Sequence, residues 1–352
     1  MTDVNFAQRN PCQALLRATV AATAMLVTTA TWAASPPRYC SATAHEQFNG
    51  CGNEIADDLS TAQAICLNLS ERDERSACRE QARADHADGK QRCRQQRTAR
   101  EKLCGQLGEA RYDPHFDNDD FDDDFNSLSK PNAYRPLASG HQWRYAGDGE
   151  TITVEVRNET KLIDDVRCIV VRDTVERDGK LVEDTIDWLA QAKNGDVWYC
   201  GEEVKDYESF AGDSPELPEL VSIAGSFKVG RDGAKAGILM PAAPRVGAIF
   251  RQEFAPGNAE DAFKVVSTNY QFGRSPQLDQ FVPEDLARLL CAANDCIVTS
   301  DFTPIDSSPT AVERKYYARG IGMFFSVHEV SGQGVQLTYC NFDPRCAILP
   351  AP

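Results

Sequence analysis

The sequence predicts an α+β protein, a disulfide-bonded α-helical hairpin followed by a mainly antiparallel β domain built as a β-sandwich or as a curved sheet closing toward a half-barrel. Three observations carry this. Six cysteines from Cys40 to Cys104 sit at symmetric intervals in a stretch rich in Ala, Gln, Arg, Glu and Leu, which are good helix formers. An acidic stretch without Lys or Arg follows. From Trp143 onward, short runs of Val, Ile, Thr, Tyr and Trp alternate with turn dipeptides, the pattern of antiparallel strands.

The 352 residues are 42% hydrophobic and 26% charged, which suits globular protein and excludes collagen-like and wholly disordered classes. The net charge of −16 repels polyanions, so no nucleic-acid partner is expected. Residues 1–33 read as a cleaved signal peptide. Arg9 and Arg17 precede an uncharged run from Ala18 to Ala34, and Thr31-Trp32-Ala33 offers small residues where a signal peptidase reads. The run carries five threonines and no second apolar span follows, so the mature chain is expected to have no membrane span. Cys12 leaves with the signal. Of thirteen cysteines an even twelve remain, as a fully paired protein of the periplasm or extracellular space requires.

Residues 34–111 form the expected hairpin. The intervals between Cys40, Cys51, Cys66, Cys78, Cys93 and Cys104 are 11, 15, 12, 15 and 11, the same in either direction. Two helical arms folding back near Arg72-Asp73 would bring equidistant cysteines face to face, because helical rise acts equally on both arms. The predicted rungs are Cys66–Cys78, Cys51–Cys93 and Cys40–Cys104. Gly50, Gly52 and Asp88-Gly89 leave open whether two kinked arms or four shorter helices form. No C-x-x-C pair occurs, so zinc is not indicated.

Residues 112–129 read as an acidic linker with Asp113, Asp117, Asp119, Asp120, Asp122, Asp123 and Asp124. Asp120, Asp122 and Asp124 match positions 1, 3 and 5 of a calcium-binding EF-hand loop. Phe125 stands where glycine is required and Pro131 where a bidentate Glu belongs, so calcium is a weak candidate and no other cofactor is expected. The favoured reading is a solvated linker docked through Phe116, Phe121 and Phe125.

Residues 130–352 form the β domain. Strands are expected at 151–156, 166–171, 181–188, 197–199, 249–254, 263–270, 297–302, 315–318, 323–330 and 335–340. Asp178-Gly179 and Asn194-Gly195 mark hairpin turns that need positive φ. A short helix is expected from Pro283 to Leu290. Cys168–Cys200 would join neighbouring strands, with Cys291–Cys296 and Cys340–Cys346 as short closures; exchange among the last four stays open.

No nucleophile elbow, Walker loop, Rossmann fingerprint or H-E-x-x-H motif occurs. Trp143, Tyr145, Trp188, Trp198 and Tyr199 crowd the first strands, and alternation puts Trp198 and Tyr199 on opposite faces, one in the core and the other toward solvent. Arg251-Gln252-Glu253 and Glu260-Asp261 flank a turn at Pro256-Gly257-Asn258 and form either buried ion pairs or a ligand site.

Gly149-Glu150-Thr151-Ile152, Asp187-Trp188, Asn194-Gly195-Asp196-Val197-Trp198-Tyr199, Asp232-Gly233-Ala234-Lys235-Ala236-Gly237-Ile238, Pro244-Arg245-Val246-Gly247 and Lys315-Tyr316-Tyr317-Ala318 resemble an abundant, uncharacterised family of secreted bacterial β-rich proteins. The resemblance covers about residues 136–330. Arg111-Tyr112-Asp113-Pro114 and the Cys/Arg-rich helical region resemble a subset. It implies export from a bacterium and brings no substrate, cofactor or catalytic residue.

The expected function is that of a secreted or periplasmic, non-catalytic protein binding a small molecule, glycan or protein partner. The alternatives are a hydrolase using Asp187, Glu253, Glu260 or Asp261 in a β cleft, and a cell-surface assembly protein using the hairpin as its contact. A concave, partly apolar pocket favours the first, a close carboxylate pair of raised pKa the second, and an exposed apolar stripe on the hairpin the third.

Overall fold

The computed structural model describes residues 37–305 and 312–352, which form one compact unit; the expected signal peptide at 1–33 lies outside the described residues. Two helices open the described residues, α1 (Tyr39–Leu67) and α2 (Arg72–Leu107). Both run unbroken through Gly50, Gly52 and Gly89. A Cβ on Gly89 would stand 2.9 Å from Ile55 Cγ2, so this glycine allows the close approach of the arms. Between them, Arg75 Nη1 donates to the carbonyls of Leu69 and Ser70 at 2.8 and 2.6 Å, closing the turn. The three nested rungs form as expected, Cys66–Cys78, Cys51–Cys93 and Cys40–Cys104.

Sixteen strands follow among the described residues: β1 (Gln142–Gly147), β2 (Glu150–Ile163), β3 (Val166–Arg177), β4 (Lys180–Gln191), β5 (Val197–Glu203), β6 (Asp206–Glu208), β7 (Glu219–Ser222), β8 (Phe227–Lys228), β9 (Lys235–Met240), β10 (Ile249–Arg251), β11 (Glu253–Phe254), β12 (Ala262–Tyr270), β13 (Cys296–Phe302), β14 (Val312–Ala318), β15 (Gly322–His328) and β16 (Gly334–Cys340). Two short helices, α3 (Pro276–Asp279) and α4 (Glu284–Leu290), lie between β12 and β13. Of the two arrangements expected, the chain adopts the curved one. A single antiparallel sheet runs in the order β10-β12-β13-β14-β15-β16-β1-β2-β3-β4-β5-β9-β11. Its two end strands, β10 and β11, are consecutive in the chain with only Gln252 between them. The sheet is therefore nearly a barrel, drawn shut by the chain itself at one residue. Gly237 on β9 makes the seam fit: a Cβ there would lie 2.4 Å from the backbone of Arg251 and Gln252.

The sheet has two covered faces. The main core includes Ile169, Val171 and Leu189 on the concave face and, at adjacent positions of β14 that point to opposite faces, both Tyr316 and Tyr317. The convex face carries a second cluster around Val170, Trp188, Ala190, Val229 and the Cys168–Cys200 disulfide. The acidic segment covers it. Phe121 bridges to Ala192, and Phe116 and Phe121 pack against Trp198 with ring centroids 6.0 Å apart. Phe125 is also buried, in the main core. Trp198, expected toward solvent if Tyr199 is core, is thus packed as well, because the segment read as a linker supplies a lid for the outer face.

Cys291–Cys296 and Cys340–Cys346 close as short loops. No helix among the described residues is long and apolar enough to cross a membrane. Six disulfides indicate folding in an oxidising, non-cytosolic compartment.

Candidate functional site

Because the sheet curls without filling, its concave side keeps a cavity of about 340 Å³, at the small end of ligand sites. One wall is apolar and aromatic, formed by Trp143 and Tyr145 from β1, Ile152 and Val154 from β2, and Leu239 from β9. Trp143 Nε1 donates to Ile321 O at 2.7 Å and the Tyr145 hydroxyl to Met323 O at 3.1 Å, so both rings are held by their polar ends. The other wall is acidic. Asp173, Asp187, Glu202, Glu253, Asp261 and Glu313 line it, against two cations, Arg135 and Lys315.

Strand geometry brings these carboxylates together. Asp187 on β4 and Glu202 on β5 are direct cross-strand partners, a separation at which side chains interact. Val171 pairs with Asp187 and Asp173 with Thr185, so Asp173 lies one diagonal step from Asp187. Glu202 reaches this face through an irregularity: Trp188 pairs with Gly201 but Leu189 with Tyr199. Cys200 is the extra residue of a bulge, which resets the alternation. At the seam, regular alternation would put Arg251 and Glu253 on one face. The break at Gln252 instead turns Gln252 and Glu253 into the cavity while Arg251 faces the hairpin.

One of these acids, Glu313, is neutralised locally, together with Asp301 behind it. Lys315 Nζ lies 3.0 Å from Glu313 Oε2 and 3.3 Å from Asp301 Oδ2. Burial works against the charge on Lys315, but Glu313 and Asp301 hold its pKa well above the usual value. Gln252 Nε2 donates to the same Asp301 oxygen at 2.9 Å, tying the seam to β13. The remaining carboxylates face one another. Burial, with Asp187 and Glu183 nearby, pushes Asp173 up to about 8. Burial raises Asp187 to about 6, held down in part by the Tyr199 hydroxyl that donates to it. Burial and Asp187 raise Glu202 to about 8. Glu253 is 5% exposed and its pKa stands well above normal through burial and the neighbouring Asp261. Burial likewise raises Asp261.

The second of the paired clusters divides between the two faces. Glu260 turns to the hairpin, where both its oxygens accept from Arg100 Nε and Nη2 at 2.8 and 2.9 Å; Asp261 turns into the cavity. A cleft of about 720 Å³ opens between hairpin and sheet, with Arg100, Arg111, Lys235 and Arg251 facing it. Arg251 is stacked on Phe254 at 4.7 Å and Tyr112 at 5.5 Å.

Of the four carboxylates weighed for a hydrolase, three therefore meet in the cavity, Asp187, Glu253 and Asp261, and Glu260 serves as a clamp. The calcium candidates do not converge. Asp120 Oδ2 faces His115 at 3.3 Å, Asp122 accepts from Ser129 N and Oγ at 3.0 and 2.6 Å, and Asp124 accepts from Asn126 N at 2.9 Å. Among the described residues no three His, Cys, Asp or Glu side chains are gathered closely enough to hold a metal ion. The sequence reading missed Asp173, Glu202, Glu313, Lys315 and Arg135. Asp173 could have been found by continuing the alternation of β3 inward from Val171; Glu202 could not, because the bulge intervenes. Compared with known proteins, the chain matches no family model, no curated protein and no solved structure.

Proposed function

We propose that the protein is an exported bacterial binding protein that holds a small molecule inside its curved sheet and does not transform it. The cavity carries this reading: it is concave, it has an apolar wall, and carboxylates from six strands or loops converge on it. The bacterial and exported setting rests on the signal-like N-terminus and the family resemblance, with the six disulfides in support. The large exposed apolar residues of the hairpin are Tyr39, Ile65, Leu67 and Leu107, all at helix ends, so no stripe supports an assembly surface.

Native mass spectrometry of the protein released gently from its own compartment tests this. Wild type is expected to carry a reproducible small adduct that the cavity-filling variant Val154→Trp lacks. Identical bare masses for both, with no difference between them in thermal shift across amines, sugars and amino acids, would overturn the reading.

A hydrolase is the second reading, favoured by the Asp187 and Glu202 pair with raised pKa values of about 6 and about 8, an arrangement suited to acid–base work. Turnover of nitrophenyl glycosides or esters by wild type, abolished in Asp187→Asn and Glu202→Gln, would select it over binding.

A further inference from the structure

Resting on the reading of the cavity as a ligand site, we propose that its ligand is a linear organic polycation, a di- or polyamine, whose ammonium groups sit along the carboxylates of β3, β4, β5 and β11 while its methylenes lie on the apolar wall. The charge balance is the first argument. Six carboxylates face one small space with two cations, and Lys315 is already engaged by Glu313 and Asp301. A carboxylate taken out of water without a counter-charge either keeps a proton or recruits a cation.

The second argument is the state of the acids themselves. Glu253, 5% exposed, receives one hydrogen bond among the described residues, from the backbone of Asp261 at 3.3 Å to a single oxygen. Among the described residues, Asp173 Oδ1 is shut off from solvent with no hydrogen-bond partner. These are acceptors of a built site whose donors must come from elsewhere. Geometry then selects among cations. Among the described residues no three acids gather tightly enough for a metal ion; instead they run as a track, Asp173 diagonal to Asp187, Asp187 opposite Glu202, Glu253 at the seam. A single ammonium neutralises one or two neighbours and leaves the rest uncompensated. Two or more ammoniums joined by methylenes match a spread track, and the wall of Tyr145, Ile152, Val154 and Leu239 gives the methylenes an apolar surface to cover.

Binding is then linked to protons. Below about pH 6 the track carries protons that compete with the ligand; above about pH 8 Asp173, Asp187 and Glu202 have lost theirs, while aliphatic amines keep their charge. Protons leave as the amine enters. Arg135 also faces the space, as do Lys315 and the hydroxyls of Tyr145, Tyr199 and Tyr317; the pKa values of Lys315 and the three tyrosines are raised, so these four keep their charge state across this window.

Isothermal titration calorimetry on the disulfide-intact mature chain tests this with putrescine and spermidine, with butylamine as a single-charge control, 1,4-butanediol as a neutral one and Ca²⁺ as a metal. Spermidine is expected to bind at least tenfold tighter than butylamine, tenfold tighter at pH 8.5 than at pH 6, and with heats that vary with the buffer's ionisation enthalpy as protons are released. Glu253→Gln and the pair Asp187→Asn with Glu202→Gln are each expected to weaken spermidine at least tenfold while melting no lower than wild type, which separates lost binding from lost folding. Equal binding of putrescine and butanediol, preference for Ca²⁺, or amine binding untouched by these variants would overturn the proposal. If butanediol binds as tightly as putrescine and Val154→Trp abolishes it, the amine class fails and the cavity reading stands. If none of the probes binds wild type, the polycation proposal fails, and the native-mass comparison decides the cavity reading separately.

Discussion

Glu260 shows how much a single carboxylate's meaning depends on which way it faces. Its side chain is 4% exposed, that of Arg100 is 7% exposed, and the pair is bidentate, with Gly257 N donating to the same carboxylate. Removing one partner of such a pair strands the other charge in a dry site, at a cost of about 3–5 kcal/mol. Glu260→Gln is therefore expected to lower unfolding stability by about that amount in urea titrations with the disulfides intact. The double variant Arg100→Met with Glu260→Leu, apolar and of similar size, is expected to recover most of the loss; a single variant that unfolds like wild type would show that the clamp carries no weight. In the sequence Glu260 and Asp261 are equivalent neighbours beside a turn. Nothing local separates them, because the residue that claims Glu260 stands 160 positions away on α2.

At the scale of elements, the helical hairpin was legible and the cavity rim was not, for one physical reason. The hairpin obeys a regular rule, equal rise along both arms, so cysteine positions alone define its rungs. The rim depends on departures from a rule. The bulge at Cys200 brings Glu202 inward, and the break at Gln252 turns Glu253 inward; period-two reading has no signal for either. The docking of the acidic segment through Phe116 and Phe121 was legible as well, but the face they cover was not, since composition marks their segment only as a linker. The hairpin's dependence on its rungs is itself testable. α1 buries only Ala44, Ile55 and Cys66, and α2 adds Ala82 and Leu103 as its buried apolar residues besides cysteines, too little to hold two long helices together. Each rung stabilises by roughly 2–4 kcal/mol through the unfolded state. Cys51→Ser with Cys93→Ser is expected to lose about that much and to open the middle of the hairpin to hydrogen exchange, with the β domain's exchange unchanged. Non-reducing peptide mapping of wild type is expected to link Cys40 to Cys104, and a Cys40–Cys51 peptide would refute the nested rungs.

For the whole molecule, the acid track sets how stability responds to pH. A carboxylate whose pKa is higher in the folded than in the unfolded chain binds more protons when folded, so stability falls as pH rises between the two values. Asp173 and Glu202 move from 3.8 and 4.5 to about 8, and Asp187 from 3.8 to about 6. The protein is therefore expected to lose stability progressively from about pH 4 to about pH 8. Paired acids act with the opposite sign: Asp184 beside Arg172 and Asp343 beside Arg345 have lowered pKa values, so their contribution is present above the unfolded value and fades only in stronger acid. Together the two sets place the stability maximum on the acidic side of neutrality, and the net charge of −16 steepens the decline above it through self-repulsion. Thermal unfolding of wild type is expected to show a higher midpoint at pH 5.5 than at pH 8.5, and Asp173→Asn with Glu202→Gln is expected to flatten that slope by raising the alkaline midpoint. A wild-type profile already flat between those two values would mean that the track is compensated in the folded state. If the cavity takes a polycation as proposed, the bound ammoniums supply the missing counter-charge at neutral pH, and the same slope is expected to shrink or reverse with spermidine; a slope unchanged by saturating spermidine would separate the acids' effect on stability from ligand binding.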